Sequence, residues 1–284
     1  MASEPPVATV PRLRGRRALT RRTQSRRAAV RAERDHVATQ PQDVTAVVLT
    51  RNEARNLPRL FDALPRGMKL FVLDAQSADD TVAIAQAAGA RVEVRPFEGF
   101  VNARRYALAQ VRTPWTFMVD ADEVPDATLC AAMLAAPADA DAYEIFRTTF
   151  YCGKPLRMWS NERLLRLFRT QGARVEAVPA AGGEAQLHER WACDGRVETL
   201  SGTLEHYSYP DAASYRRKYA EYTSTEARGL QSNLWAALVE TLAAPVRFAH
   251  ALLVRGAMLD GRAGWTVAWY SALYPAVVRW KALR

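Results

Sequence analysis

Val44-Thr45-Ala46-Val47-Val48-Leu49-Thr50 is an unbroken apolar and β-branched run, the composition of a strand buried on both faces of a parallel sheet. It constrains the fold strongly, because parallel strands need long, usually helical, crossovers, which then cover both faces. Residues 69–74 and 115–119 repeat the pattern, and 91–95 form a shorter strand. Helices fit between them: 56–64, stopped by Pro65 and Gly67; 81–88, closed by Gly89 where a left-handed residue costs least; and 101–111. This alternation predicts an α/β fold built on a doubly wound, mostly parallel sheet with crossovers of the usual hand.

In such sheets ligands bind outside the carboxyl ends of the strands. Here those ends carry Asn52 and Glu53, then Asp74, then Asp120 with Asp122. Unpaired carboxylates at the end of a buried strand carry a desolvation cost of several kcal/mol, so a positive group is expected among them. Hard oxygen ligands at this spacing suit Mg²⁺ or Mn²⁺, which are usually held by one or two carboxylates plus substrate phosphates. The competing reading of an Asp-x-Asp is that it caps the following helix.

Charge does not point to nucleic acid once it is located. Of the formal net charge of +9, most lies in residues 1–42, which hold ten arginines against three acidic residues and leave the remainder nearly balanced. That segment has almost no aromatic or periodic apolar content, so it is expected to be a disordered basic tail. It lacks the apolar core of a secretory signal. Cys130, Cys152 and Cys193 are odd in number, with no Cys-x-x-Cys spacing; neither a disulfide framework nor a zinc site follows, which fits a reducing cytoplasm.

Beyond Asp126 the pattern changes to a helix to about residue 135, a strand over 142–151, and shorter strands near 164–169 and 197–207. A Gly- and Ala-rich stretch, 177–185, reads as a loop over a substrate. The end of the chain is helical and apolar: 234–254, interrupted by Pro245, then 263–278. The uncharged run between Arg262 and Arg279 is 16 residues, short of the roughly 20 that span a bilayer. Trp265, Trp269, Tyr270, Tyr274 and Trp280 beside Arg279, Lys281 and Arg284 suit helices lying in a membrane interface. A helix packed on the core is the alternative.

At this point the chain resembles the family 2 inverting glycosyltransferases of GT-A fold, most closely the lipopolysaccharide core enzymes of the β-glucosyltransferase type. Five motifs in order carry the resemblance: Thr50-Arg51-Asn52-Glu53; Leu73-Asp74-Ala75-Gln76-Ser77-Ala78-Asp79-Asp80-Thr81; Gly99 to Arg104; Asp120-Ala121-Asp122-Glu123; and Leu187-His188-Glu189. Residues 159–168 look like the family's Trp-x-x-x-Arg-x-x-Arg-Leu-aromatic segment, and the likeness covers about residues 44–230. It implies a transferase domain over 43–230, flanked by the tail and by membrane-interface helices over 231–284.

The resemblance also implies roles. Thr50, Asn52, Glu53, Asp74, Ser77, Arg104 and Asp120 would bind a nucleotide-sugar donor, a UDP-hexose by preference. Asp122, with Asp120, would hold Mg²⁺ or Mn²⁺. Glu189 would be the base that takes the acceptor hydroxyl's proton, against the reading of a surface carboxylate. His188 would contact the acceptor. Arg163 and Arg166 would fork onto donor phosphate or an anionic acceptor, unless they pair with Glu162 or Glu176. The acceptor would be a lipopolysaccharide core or other lipid-linked glycan, and the enzyme would be cytoplasmic and peripheral to the inner membrane, with no nucleic acid as partner. Two residues depart from the family pattern. Gln76 stands where Gly is common, so a positive φ there becomes costly, and Asn102 replaces a Lys or Gln. The competing functions are a nucleotidyltransferase, which would want a Gly-rich phosphate loop after the first strand, and a non-catalytic membrane- or nucleic-acid-binding adaptor working through the basic tail.

Overall fold

A computed structural model describes residues 40–284 except 137–138, 161 and 179–187. The expected basic tail therefore lies almost wholly outside the described residues, as does most of the loop expected over 177–185.

The strands are β1 (Val44–Thr50), β2 (Lys69–Asp74), β3 (Arg91–Val94), β4 (Trp115–Asp120), β5 (Glu123–Pro125), β6 (Ala142–Tyr151), β7 (Lys154–Pro155), β8 (Glu162–Arg169), β9 (Ala173–Val178), β10 (His188–Cys193) and β11 (Val197–Tyr209). The helices are α1 (Leu57–Ala63), α2 (Thr81–Ala87), α3 (Phe100–Gln110), α4 (Ala127–Leu134), α5 (Ala212–Arg228), α6 (Leu234–Leu253) and α7 (Gly261–Lys281). The main sheet runs β3-β2-β1-β4-β8-β6-β11-β5, with β7 paired to β6.

The first four strands in that order are all parallel, as the α/β reading requires. β1 and β4 are buried along nearly their whole length, which is why they carry no alternation of polar residues. Past β4 the sheet continues in mixed sense: β8 is antiparallel to β4 and β6, β11 is parallel to β6, and β5 closes on β11 antiparallel. One core, with Leu57, Leu60, Val72, Phe117, Leu129 and Met133, lies on one face; a second, with Val47, Phe71, Met118, Phe168 and Trp191, lies on the other.

Two places show why the later chain folds as it does. β11 shifts register between Thr199 and Thr203, and in that bulge Gly202 has φ +90°, with a would-be Cβ 2.2 Å from the Leu129 backbone nitrogen. Only glycine allows α4 to approach so closely. Asp126 then caps α4 by accepting from Leu129 N (2.6 Å) and ties it to the bulge through Thr203 N (3.1 Å).

The first C-terminal helix differs from expectation at Pro245, and the second differs only in its ends. α6 runs unbroken through Pro245, and α7 extends past Pro275 to Lys281. α5, which the sequence reading passed over, is capped by Asp211 on Ser214 N (2.7 Å). Tyr151, Tyr215, Ala251, Leu252, Val267 and Ala268 form a third core joining these helices to the sheet.

Candidate active site

The register of the parallel strands sets the floor. Thr50 pairs with Asp74, and Leu49 with Asp120, so the three strands end at one level beneath a cavity of about 760 Å³. Thr50, Glu53, Asp74, Asp120 and Asp122 all line it.

Asp74 is fully buried and saturated: Thr50 Oγ1 donates to its Oδ1 (2.9 Å), Ser77 Oγ to the same oxygen (2.5 Å), and Ser77 N to Oδ2 (2.8 Å). Asn52 N in turn donates to Ser77 Oγ (2.8 Å), and Asn52 Oδ1 accepts from Ala78 N (2.8 Å). The loops after β1 and β2 are thereby laced together. Asn52 and Ser77, expected on the donor, brace this lacing and are not among the lining residues. Asn52 has φ +58° and Gln76 φ +55°. Asn tolerates that conformation through local hydrogen bonds, whereas Gln bears its cost in full. Glu53, held by Asn56 Nδ2 (2.7 Å), is the half-buried acid on the first loop. Burial raises its pKa, reinforced by Asp122 and opposed by the Asn56 bond.

The acidic motif is partitioned by its partners. Glu123 is wholly buried and accepts from Arg166 Nη2 (2.6 Å) and Arg147 Nη1 (3.1 Å) on Oε1, and from Asp120 N (3.0 Å) on Oε2. Asp120 accepts from Arg104 Nη2 (3.1 Å) and Arg166 Nη2 (2.7 Å), one on each oxygen. Burial would raise its pKa, but those two guanidiniums outweigh it and hold Asp120 below the usual carboxylate range. Among the described residues no guanidinium pairs with Asp122, and its carboxylate meets one side chain, His206, with Oδ2 3.3 Å from Nε2. Burial raises its pKa too, and His206 more than reverses that.

Arg104 and Arg166 are held by these acids and also border a neighbouring cavity. Each is about 5% exposed and serves the carboxylates of the motif, because a buried carboxylate pair this close to the core needs fixed positive charge. Arg163 is more than half exposed and 3.7 Å from Glu144; neither Glu162 nor Glu176 is its partner. It borders a neighbouring cavity of about 610 Å³ that shares Asp120 and Arg147 with the first. His188 and Glu189 open β10, with Glu189 opposite Ala177 of β9; their side chains lie outside the described residues.

Sequence reasoning missed His206, Lys218, Tyr209 and Tyr222, which complete the wall. β11 brings His206 opposite Glu123, a non-local pairing with no signal near His206 itself. Lys218 is anchored by donating to Ser208 O and Oγ, both at 3.1 Å. On the opposite wall stand Phe97 and Phe100, in edge contact at 5.0 Å, and Tyr106, with the Arg95 guanidinium 4.0 Å over its ring.

The donor set fits a divalent cation. Ligands at about 2.1 Å from an ion, at right angles, stand about 3 Å apart, close to the Asp122–His206 separation. His206 Nδ1 is 3.2 Å from Thr149 Oγ1, the kind of supporting bond that orients a ligating imidazole. Among the described residues no third acid, Cys or His joins them, so the remaining positions would fall to phosphate and water, as Mg²⁺ and Mn²⁺ prefer.

A family model described as Glycosyl transferase family 2 matches residues 45–186. The chain belongs to that family. Lipopolysaccharide core biosynthesis glycosyltransferase LpsC of Rhizobium meliloti (strain 1021) is 27% identical over 175 residues, 58% of this chain and 63% of that one. An uncharacterized glycosyltransferase of Rickettsia felis is 36% identical over 81 residues, 28% of this chain and 29% of that protein; the match thus spans under a third of that relative's length. Among solved structures, mannosyltransferase PcManGT from Pyrobaculum calidifontis in complex with GDP-Man and Mn²⁺ is similar at 18% identity and a TM-score of 0.47, over 87% of this chain and 90% of that one.

Proposed function

We propose that this family 2 protein is a divalent-metal-dependent, inverting glycosyltransferase that moves a hexose from a nucleoside-diphosphate sugar, UDP-linked by preference, to a lipopolysaccharide-core or other lipid-linked acceptor. The observation that carries the reading is the division of labour among the acids. Asp120 and Glu123 are neutralised internally by Arg104, Arg147 and Arg166, while Asp122 and His206 face the cavity together. Asp122 and His206 would hold Mg²⁺ or Mn²⁺. Once bound, the ion would supply Lewis-acid neutralisation of the leaving diphosphate.

The chain's own residues do the rest. Glu53 accepts hydrogen bonds from a base or ribose, and Phe97, Phe100 and Tyr106 offer it apolar faces. The transfer is a single displacement. The acceptor hydroxyl oxygen bonds to the anomeric carbon as Glu189 takes its proton, and the bond from that carbon to the diphosphate oxygen breaks, releasing the nucleoside diphosphate. The LpsC relative supports a lipopolysaccharide-type acceptor.

An apolar face supports work at a membrane surface. α6 is long and apolar enough to cross a bilayer, yet it packs Ala237, Ala244, Ala251 and Leu252 inward and turns Leu234, Trp235, Leu238, Leu242 and Val246 outward, Leu242 at 77% exposure. One buried and one bare face suit a helix lying in the interface.

Calorimetry with UDP-, GDP- and ADP-sugars, with and without Mn²⁺, tests the proposal. Uptake of one donor together with the ion is expected. Asp122→Ala should weaken it by roughly 100-fold or more while leaving circular dichroism unchanged, and Glu189→Gln should bind donor normally but release no nucleoside diphosphate to an acceptor. Absence of coupled uptake by folded protein would sink the reading.

A further inference from the structure

A third cavity, about 570 Å³, opens beside the donor cavity and shares Arg147, His206 and Tyr209 with it. Its character is different. Trp159 and Tyr209 form an aromatic wall, ring centroids 5.7 Å apart and tilted by 39°. Glu162 faces them as a half-exposed carboxylate whose Oε2 accepts from Arg147 Nε (3.1 Å) and Nη2 (2.6 Å), its Oε1 having no partner among the described residues. Burial pushes the Tyr209 hydroxyl up to about 12, so it stays a neutral donor at any physiological pH. Apolar ring faces beside a fixed carboxylate and guanidinium match a sugar ring, whose C–H face stacks on aromatics while its hydroxyls donate and accept at the edge.

The far side of the cavity leads to the C-terminal helices. Arg255 lines it and donates from Nη2 to Met158 O (2.6 Å). Its neighbours in the chain, Leu253, Val254, Met258 and Leu259, are 71%, 72%, 49% and 64% exposed, continuing the bare face of α6. One end of this cavity therefore meets His206, and at the other Arg255 leads to an apolar surface.

We propose that this cavity is the acceptor subsite and that it takes a saccharide ring carried on a hydrocarbon anchor, the ring against Trp159 and Tyr209 and the anchor along Leu253, Val254, Met258 and Leu259. The inference rests on the transferase reading above and assigns the acceptor side of it.

Saturation-transfer NMR on the full-length protein loaded with UDP and Mg²⁺ tests this. The probes are the methyl glycosides of glucose, mannose and galactose, and octyl β-glucoside below its micelle-forming concentration. Ring protons of at least one methyl glycoside should receive saturation, and the octyl compound should bind at least about tenfold more tightly than methyl glucoside, the gain of burying a few methylene groups. Trp159→Ala should abolish ring saturation. Glu162→Gln, which leaves the aromatic packing in place, should weaken binding roughly tenfold, as for one hydrogen bond to a charged group. Both variants should keep UDP affinity. Ring protons that stay dark, or that saturate equally in both variants, would overturn the subsite, and equal affinity of methyl and octyl glucosides would overturn the anchored acceptor. Failure of the unsubstituted protein to take up UDP with Mg²⁺ would instead remove the transferase reading beneath it.

Discussion

Gln76 sits at φ +55° in the loop that laces β2 to β1, a conformation costing a non-glycine residue roughly 1–2 kcal/mol. Gln76→Gly removes that strain and loses about 0.5–1 kcal/mol to glycine's greater unfolded freedom. The net gain, between about 0 and 1.5 kcal/mol, should raise Tm by roughly 2–3 °C at its midpoint for a domain this size, read by calorimetric melting. An unchanged or lower Tm would show that the strain is relieved by contacts elsewhere in the loop. Glu53 makes a second test. Its folded pKa lies above the unfolded value, so the native state holds the proton more tightly and stability falls as pH rises from about 4.3 upward. Glu53→Gln mimics the neutral form: its Tm should exceed that of the unsubstituted protein at pH 7.5, the difference should vanish near pH 4, and donor affinity should drop. Equal differences at both pH values would contradict the burial argument.

At the level of elements, one arginine ties the two proline-bearing helices together. Pro245 and Pro275 each lack an N–H for the carbonyl four residues earlier, yet α6 and α7 continue through them. Arg247 bridges the pair: Nη2 donates to Glu240 O (2.5 Å), Nη1 to Glu240 Oε2 (2.8 Å) and Nε to Ala272 O (3.1 Å). The carbonyls whose i+4 donor the prolines remove are Thr241 O and Ser271 O; Arg247 donates to their neighbours, Glu240 O and Ala272 O, and so ties the two helices together beside the prolines. Arg247→Ala should cost about 1.5–3 kcal/mol in urea unfolding, with the midpoint lowered and the slope unchanged. A smaller loss would mean that apolar packing alone holds the two helices together. The β9–β10 hairpin escaped the sequence reading because its strands, Ala173–Val178 and His188–Cys193, alternate charged and apolar residues weakly and flank a Gly-rich stretch.

For the whole molecule, the bare face of α6 is the proposed membrane contact. Vesicle sedimentation with anionic phospholipid should pellet the protein, and Leu242→Glu combined with Val246→Glu should release it while leaving UDP uptake intact. A dimer in sedimentation equilibrium that the same double variant dissociates would show that a second copy covers this face instead.

Residues 44–123 disclosed their architecture without coordinates because their signals are local: uncharged β-branched runs, Pro and Gly stops, and carboxylates where the strands end. The register that aligns Thr50 with Asp74 and Leu49 with Asp120 follows from burying both faces of each strand. What the acids do was decided only by packing. Arg104 and Arg166 carry the charge and motif position expected of phosphate ligands, and packing buries them against Asp120 and Glu123, a pairing no local pattern announces. His206, Tyr209 and Trp159 reach the site through the pairing of β11 with β5 and β6 and the turn after β7. Contacts so distant in the chain depend on which surfaces can be buried together, and no single stretch of sequence contains that information.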